Sequence, residues 1–93
     1  MKIWSLDLHD RAKKQLSNLP KNIQKRIISY LEERVLTQID PRSLASCLSG
    51  DMNGFYRYRV GDYRIITSID HGKMVVLALE IGHRKDIYEK FHH

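Results

Sequence analysis

Arg57, Arg59 and Arg64 fall in one short run, Phe55-Tyr56-Arg57-Tyr58-Arg59-Val60-Gly61-Asp62-Tyr63-Arg64-Ile65-Ile66. An arginine stays protonated in proteins and presents a rigid fork of N–H donors that matches phosphate oxygens. Three of them suit clamping an anion and stabilising charge that develops on it; none suits proton abstraction. A second group follows in Glu80-Ile81-Gly82-His83-Arg84-Lys85-Asp86-Ile87-Tyr88. There Arg84 adds a cation, Glu80 a carboxylate and Tyr88 an aromatic ring. His83 adds an imidazole whose ordinary pKa of about 6.5 suits acid–base work.

Whether these side chains meet depends on strand register. Tyr, Val and Ile alternate around Gly61-Asp62, which reads as a two-residue hairpin turn with glycine supplying positive φ. That turn sets Val60 opposite Tyr63, Arg59 opposite Arg64, Tyr58 opposite Ile65 and Arg57 opposite Ile66. Because side chains alternate faces, Arg57, Arg59 and Arg64 share one face. Tyr56, Tyr58, Val60, Tyr63 and Ile65 share the other, where the tyrosines are expected as core. Like charges directly opposite each other destabilise a sheet, so the Arg59/Arg64 pair points to a bound anion. From the pattern alone, the arginines also suit a solvated strand that discourages edge aggregation.

The second turn, Asp70-His71-Gly72, suits a type I turn with glycine in the left-handed position, setting Ile69 opposite Lys73. Val75, Leu77, Leu79 and Ile81 then join the tyrosines in the core. Met74, Val76, Ala78, Glu80 and Gly82 join the arginine face, with Arg84 if the strand extends that far. Glu80 is then able to pair with an arginine. His83 points to the core side, and a bulge or bend at Gly82 would be needed to bring it to the site.

The remaining elements are those that hold this hairpin. Lys2 to Asp7 alternates as a short strand. Asp7, or else His9, precedes a helical stretch through Leu16 with Ala12, Leu16 and Leu19 as its apolar stripe. Pro20 opens a second helix to about Gln38, with Ile23, Ile27, Leu31 and Val35 at i+4 spacing. The two form an antiparallel hairpin whose lysines read as solvated faces. Ser43 to Leu48 is either a turn of helix or extended chain, and Ser49 to Gly54 is a loop by composition. Strands are expected over Phe55–Val60, Tyr63–Ile69 and Lys73–Ile81, with a short helix from about Arg84 to Phe91. The fold class is α+β, of order β-α-α-β-β-β(-α), with a helical hairpin packed on one face of a mainly antiparallel sheet.

The chain of 93 residues reads as one domain over 1–91; His92-His93 matches the start of a purification tag and is set aside. Sixteen Lys+Arg against 11 Asp+Glu give a net charge of +5, which suits a polyanionic partner without choosing among nucleic acid, acidic protein and anionic membrane. Cys47 is the single cysteine. It excludes a disulfide framework or a cysteine zinc site, fits a reducing cytoplasm, and is expected buried and inert. The longest apolar run, Met74 to Leu79, is too short to span a bilayer.

The run from Leu48-Ser49-Gly50 through Gly54-Phe55 to Ile66 resembles the central signature of the RelE/ParE toxin superfamily, and Ile81 to Tyr88 resembles its C-terminal signature. The element order agrees, so the resemblance spans essentially the whole chain. In the RelE branch it implies a ribosome-dependent endoribonuclease that cleaves mRNA in the ribosomal A site without a metal or other cofactor. The ribose 2′-OH attacks the adjacent phosphate, leaving a 2′,3′-cyclic phosphate and a 5′-OH. A cognate antitoxin would hold it inactive, and operator DNA would be met only through that antitoxin complex. The implied catalytic residues are Arg57, Arg59, Arg64, Arg84 and Tyr88, with His83 as the candidate for proton transfer. Some RelE members carry lysines where this chain has Arg57 and Arg59. The ParE branch implies instead an inhibitor of DNA gyrase, and a degenerate member would act only in an antitoxin–operator repressor complex.

Overall fold

Two helices of opposite direction cover one face of a five-stranded sheet. The computed structural model describes residues 2–91, with side chains through residue 87. His92-His93 lies outside the described residues. Strand β1 (Ser5–Leu8) leads to α1 (Asp10–Ser17), α2 (Lys21–Tyr30), the short β2 (Ser46–Cys47), then β3 (Tyr56–Val60), β4 (Tyr63–Asp70), β5 (Val75–His83) and α3 (Arg84–Phe91). The sheet order is β1-β5-β4-β3-β2. Only the β1–β5 pairing is parallel, so the α+β, mainly antiparallel architecture matches the reading from the sequence.

The helix boundaries follow local chemistry. His9, rather than Asp7, caps α1: its Nδ1 accepts the Arg11 N–H at 3.3 Å. That satisfies one of the donors a helix start leaves free. Pro20 precedes α2, where its missing N–H has no partner to lose. The helix does not run regularly to Gln38. After Tyr30 it widens into a π-helical turn over Leu31–Val35, and the Leu36 N–H donates to Leu31 O. The widening keeps Leu31, Val35 and Leu36 all buried in the core. A 3-10 turn over Pro41–Leu44 and the two residues of β2 resolve the ambiguous 43–48 segment. Cys47, expected buried, is exposed. It lies on the outermost strand, where no neighbouring element covers it.

Register decides the core. On the helix-covered face, Ile27, Leu31 and Val35 meet Tyr58, Val60, Ile65, Val76, Ala78 and Ile81. The expected Ile69/Lys73 pairing is not observed. Asp70 pairs with Val75 and Ile69 with Val76, and Met74 closes the connection at φ 55°. The longer connection inverts the expected faces of β5's first half. Val76 and Ala78 enter the core instead of Val75, Leu77 and Leu79, which stay half-exposed. A bulge then restores the parity: Thr67 pairs with Ala78 but Ile66 with Glu80, leaving Leu79 without a partner. Beyond it Ile81 is core, as expected.

Helix α1 secures the bulge. Gln15 Oε1 accepts the Ile81 N–H at 2.8 Å, and Gln15 Nε2 donates to Glu80 Oε1 at 3.1 Å. Across the sheet, the buried Tyr58 hydroxyl donates to Pro41 O at 2.6 Å, and burial pushes its phenol pKa well up. This bond ties the loop after the helices to the central strands. Replacing Tyr58 by Phe removes it and should cost about 1–3 kcal/mol. Urea denaturation should show a lower midpoint at an unchanged slope; an unchanged midpoint would contradict the assignment.

Candidate anion-binding site on the arginine face

The first hairpin has the register its turn dictates. Arg59 pairs with Arg64, Tyr58 with Ile65 and Arg57 with Ile66. Gly61 sits at φ 58°, the left-handed conformation that a two-residue turn needs and glycine adopts freely. The faces follow: Tyr58 is fully buried on the helix side, while Arg57 and Arg64 are half-buried and Arg59 is exposed on the other.

Strand β5 and α3 bring Arg84 to the same end. Gly82 lies opposite Arg64, so a side chain there would share the arginine face. That space belongs to Ile87 of α3: a Cβ on Gly82 would stand 3.3 Å from Ile87 Cγ1. Buried Ile87 therefore seats the helix over the sheet beside Arg64. The Arg84 N–H donates to Asp62 O at 2.7 Å, and Arg84 Nε lies 4.0 Å from Asp62 Oδ1. Arg64 itself folds back on the turn, Nη1 donating to Gly61 O at 2.9 Å and Tyr63 O at 3.0 Å.

The electrostatics bear the imprint of this crowding. Burial pushes the Arg64 pKa down, and the charges of Arg59, Arg57 and Arg84 lower it further, opposed by Asp62. An arginine remains protonated at neutral pH all the same. Mutual repulsion of this kind is relieved when an anion enters, and forked donors can hold it bidentately. The arrangement can therefore fix a phosphodiester and stabilise added charge on it.

The other sequence-derived candidates are placed differently. His83 pairs across the strands with Tyr63, its ring edge-on to that tyrosine at 5.6 Å. Its Nδ1 accepts the Lys85 N–H at 3.3 Å, at the start of α3. The register shift falls at Leu79, not Gly82, so His83 stays on the Tyr63 side. Glu80, read from the sequence as able to pair with an arginine of that face, meets an arginine of α1. Its Oε2 meets Arg11 Nε at 2.9 Å, because the bulge turns it toward α1. Tyr88 lies on α3, with its side chain outside those described.

Two residues at the Gly61 turn were not singled out from the sequence. Asp62 read only as a turn residue. Arg26 read only as part of a solvated helix face, yet its Nη2 stands 3.1 Å from where a Cβ on Gly61 would be. No local pattern announces a helix arginine reaching a turn distant in sequence. Among the described residues, no group of three His, Cys, Asp or Glu is placed to hold a metal, and no helix is long and apolar enough to cross a membrane.

The family described as the ParE toxin of the parDE type II toxin–antitoxin system matches residues 6–88. The chain belongs to the RelE/ParE toxin superfamily. It is 30% identical over 77 residues to Toxin RelE of Mycobacterium tuberculosis (strain ATCC 25618 / H37Rv), covering 83% of this chain and 77% of that one. Among solved structures, it resembles a chain of the toxin–antitoxin complex RelBE2 from the same species at a TM-score of 0.81. That match has 23% identity and covers 90% of this chain and 94% of the other. A chain of the archaeal RelE–RelB complex from Pyrococcus horikoshii OT3 superposes with a TM-score of 0.63 at 28% identity, covering 88% and 96%. These matches agree with the RelE/ParE fold expected from the two signatures.

The Gly61 turn carries two arginines of this toxin's site, so its geometry is open to test. Gly61→Ala should lose about 1–2 kcal/mol, from the left-handed backbone and crowding against Arg26. Thermal unfolding monitored by circular dichroism measures it, and a wild-type midpoint would contradict the turn assignment.

Proposed function

We propose that this toxin is a ribosome-dependent endoribonuclease that cuts mRNA in the A site, and that a cognate antitoxin neutralises it. The observation that carries the reading is the convergence of Arg57, Arg59, Arg64 and Arg84, each of the other three acting on the charge of Arg64. The RelE relative and the RelE–RelB complexes support the same reading. An antitoxin segment with acidic side chains would pair the arginines and occlude the site; operator DNA would be met through that complex.

In this mechanism the ribose 2′-oxygen attacks the adjacent phosphorus and the bond to the 5′-oxygen breaks. The products are a 2′,3′-cyclic phosphate and a 5′-OH. Arg64, half-buried and backed by the turn carbonyls, holds the scissile phosphate. Arg57 and Arg59 fix the strand, and Arg84 stabilises the phosphate or the leaving oxygen. Donors already aimed at developing charge commonly supply the largest part of catalysis. Tyr88, four residues beyond Arg84, stacks on a base, an interaction worth about 1–3 kcal/mol. No arginine can take the 2′-OH proton. It passes to water or a ribosomal group, and the leaving 5′-oxygen takes its proton from water or a ribosomal group in turn, while His83 orders the start of α3 through its cap on Lys85.

A second reading rests on the family match itself, whose description names a ParE toxin: the protein would inhibit gyrase and cut nothing. Arg64→Ala separates the two. On programmed ribosomes it should lower A-site cleavage by about 100- to 1,000-fold, with the circular dichroism spectrum unchanged. Wild-type cleavage would remove Arg64 from the mechanism. Whole mRNA with blocked supercoiling by the wild-type protein would favour the second reading.

A further inference from the structure

Arg84 is held to the hairpin in two separable ways. Its backbone N–H donates to Asp62 O at 2.7 Å, which fixes where α3 begins. Its side chain lies beside the Asp62 carboxylate, Nε to Oδ1 at 4.0 Å, with the two side chains 57% and 69% exposed. Asp62 is also the carboxylate whose charge opposes the other arginines at Arg64. Arg64, by contrast, is held by neutral turn carbonyls.

We propose that Asp62 is a positioning residue for Arg84, its carboxylate occupying in the free protein the place a substrate phosphate takes in the complex. An exposed pair of this length contributes little to stability, about 0–1 kcal/mol. That suits a temporary partner: it holds the guanidinium over the turn yet yields to a phosphate that Arg84 can grip with two donors. The turn therefore serves both arginines, Gly61 through its carbonyl for Arg64 and Asp62 through its carboxylate for Arg84. The carboxylate also lowers the field of the cluster, so RNA held by one stray phosphate gains less than RNA engaging all the arginines.

The proposal rests on the RNA-binding part of the function proposed above, and its test separates the two. Binding of the full chain to a short 2′-O-methylated single-stranded RNA, which cannot be cut at the methylated ribose, is followed by fluorescence anisotropy over a range of salt. Each added phosphate contact to a single strand steepens the fall of log K with log salt by about 0.7. Asp62→Asn keeps the backbone bond that starts α3 and frees one cation. It should bind several-fold tighter at low salt with the wild-type slope, Asp62→Glu should restore the wild-type affinity, and Arg84→Gln alone should flatten the slope by about 0.7. Adding Arg84→Gln to Asp62→Asn should abolish the increment. Equal affinities for wild type and Asp62→Asn, an increment that survives loss of Arg84, or an unchanged slope in Arg84→Gln overturns the proposal. Tighter binding by Asp62→Asn in a protein that leaves mRNA whole on ribosomes overturns the nuclease reading alone, and cleavage with equal affinities overturns the role of Asp62 alone.

Discussion

Cross-strand repulsion between Arg59 and Arg64 is the constraint around which this molecule is organised. Two guanidinium groups directly opposite one another on a sheet weaken the pairing they sit on. The hairpin forms because its other face outweighs that cost. Tyr58, Val60 and Ile65 are buried under α1 and α2, and a left-handed Gly61 closes the turn in the one register that sends them there. A slip of one residue would expose the aromatic face and bury the arginines. The helical hairpin thus holds the charged face by anchoring its apolar reverse, and leaves a repulsion that a bound anion would relieve.

The second half of the sheet solves a different problem. Strand β5 must present Val76 and Ala78 to the helices early and Ile81 late, an odd separation that regular alternation cannot meet. The bulge at Leu79 meets it, and Gln15 satisfies the displaced Ile81 N–H while holding Glu80. Without that extra residue Gly82 would not stand opposite Arg64, and Ile87 could not seat α3 beside it. The fourth arginine therefore depends on a glutamine on the far side of the sheet.

Legibility in the sequence followed the range of the interaction. The first hairpin was readable because turn type, alternation and residue chemistry all act within a dozen residues, and its pairings agree with those read from the sequence. The faces at the end of β5, Ile81 in the core and Gly82 on the arginine side, agree with that reading as well, but the pairing register differs throughout. Neither the longer connection closed by Met74 nor the bulge leaves a local mark, and their two parity changes cancel at Ile81. Cys47 was misjudged for the same reason: a lone cysteine looks like buried packing until the sheet order places it at an edge. Glu80 meets a helix, and Arg26 of α2 a turn, far away in sequence, and no spacing rule reaches either contact.

Membership of the RelE/ParE superfamily narrows the chemistry to two activities, and the four-arginine face favours the one that needs a phosphate held in place. On the function proposed, the arginines would act by stabilising charge during transfer within the RNA strand. The termini left on mRNA after incubation with programmed ribosomes report that chemistry most directly. The account predicts a cut within the A-site codon bearing a 2′,3′-cyclic phosphate and a 5′-OH. A 5′-phosphate paired with a free 3′-OH, or mRNA left whole, would contradict it.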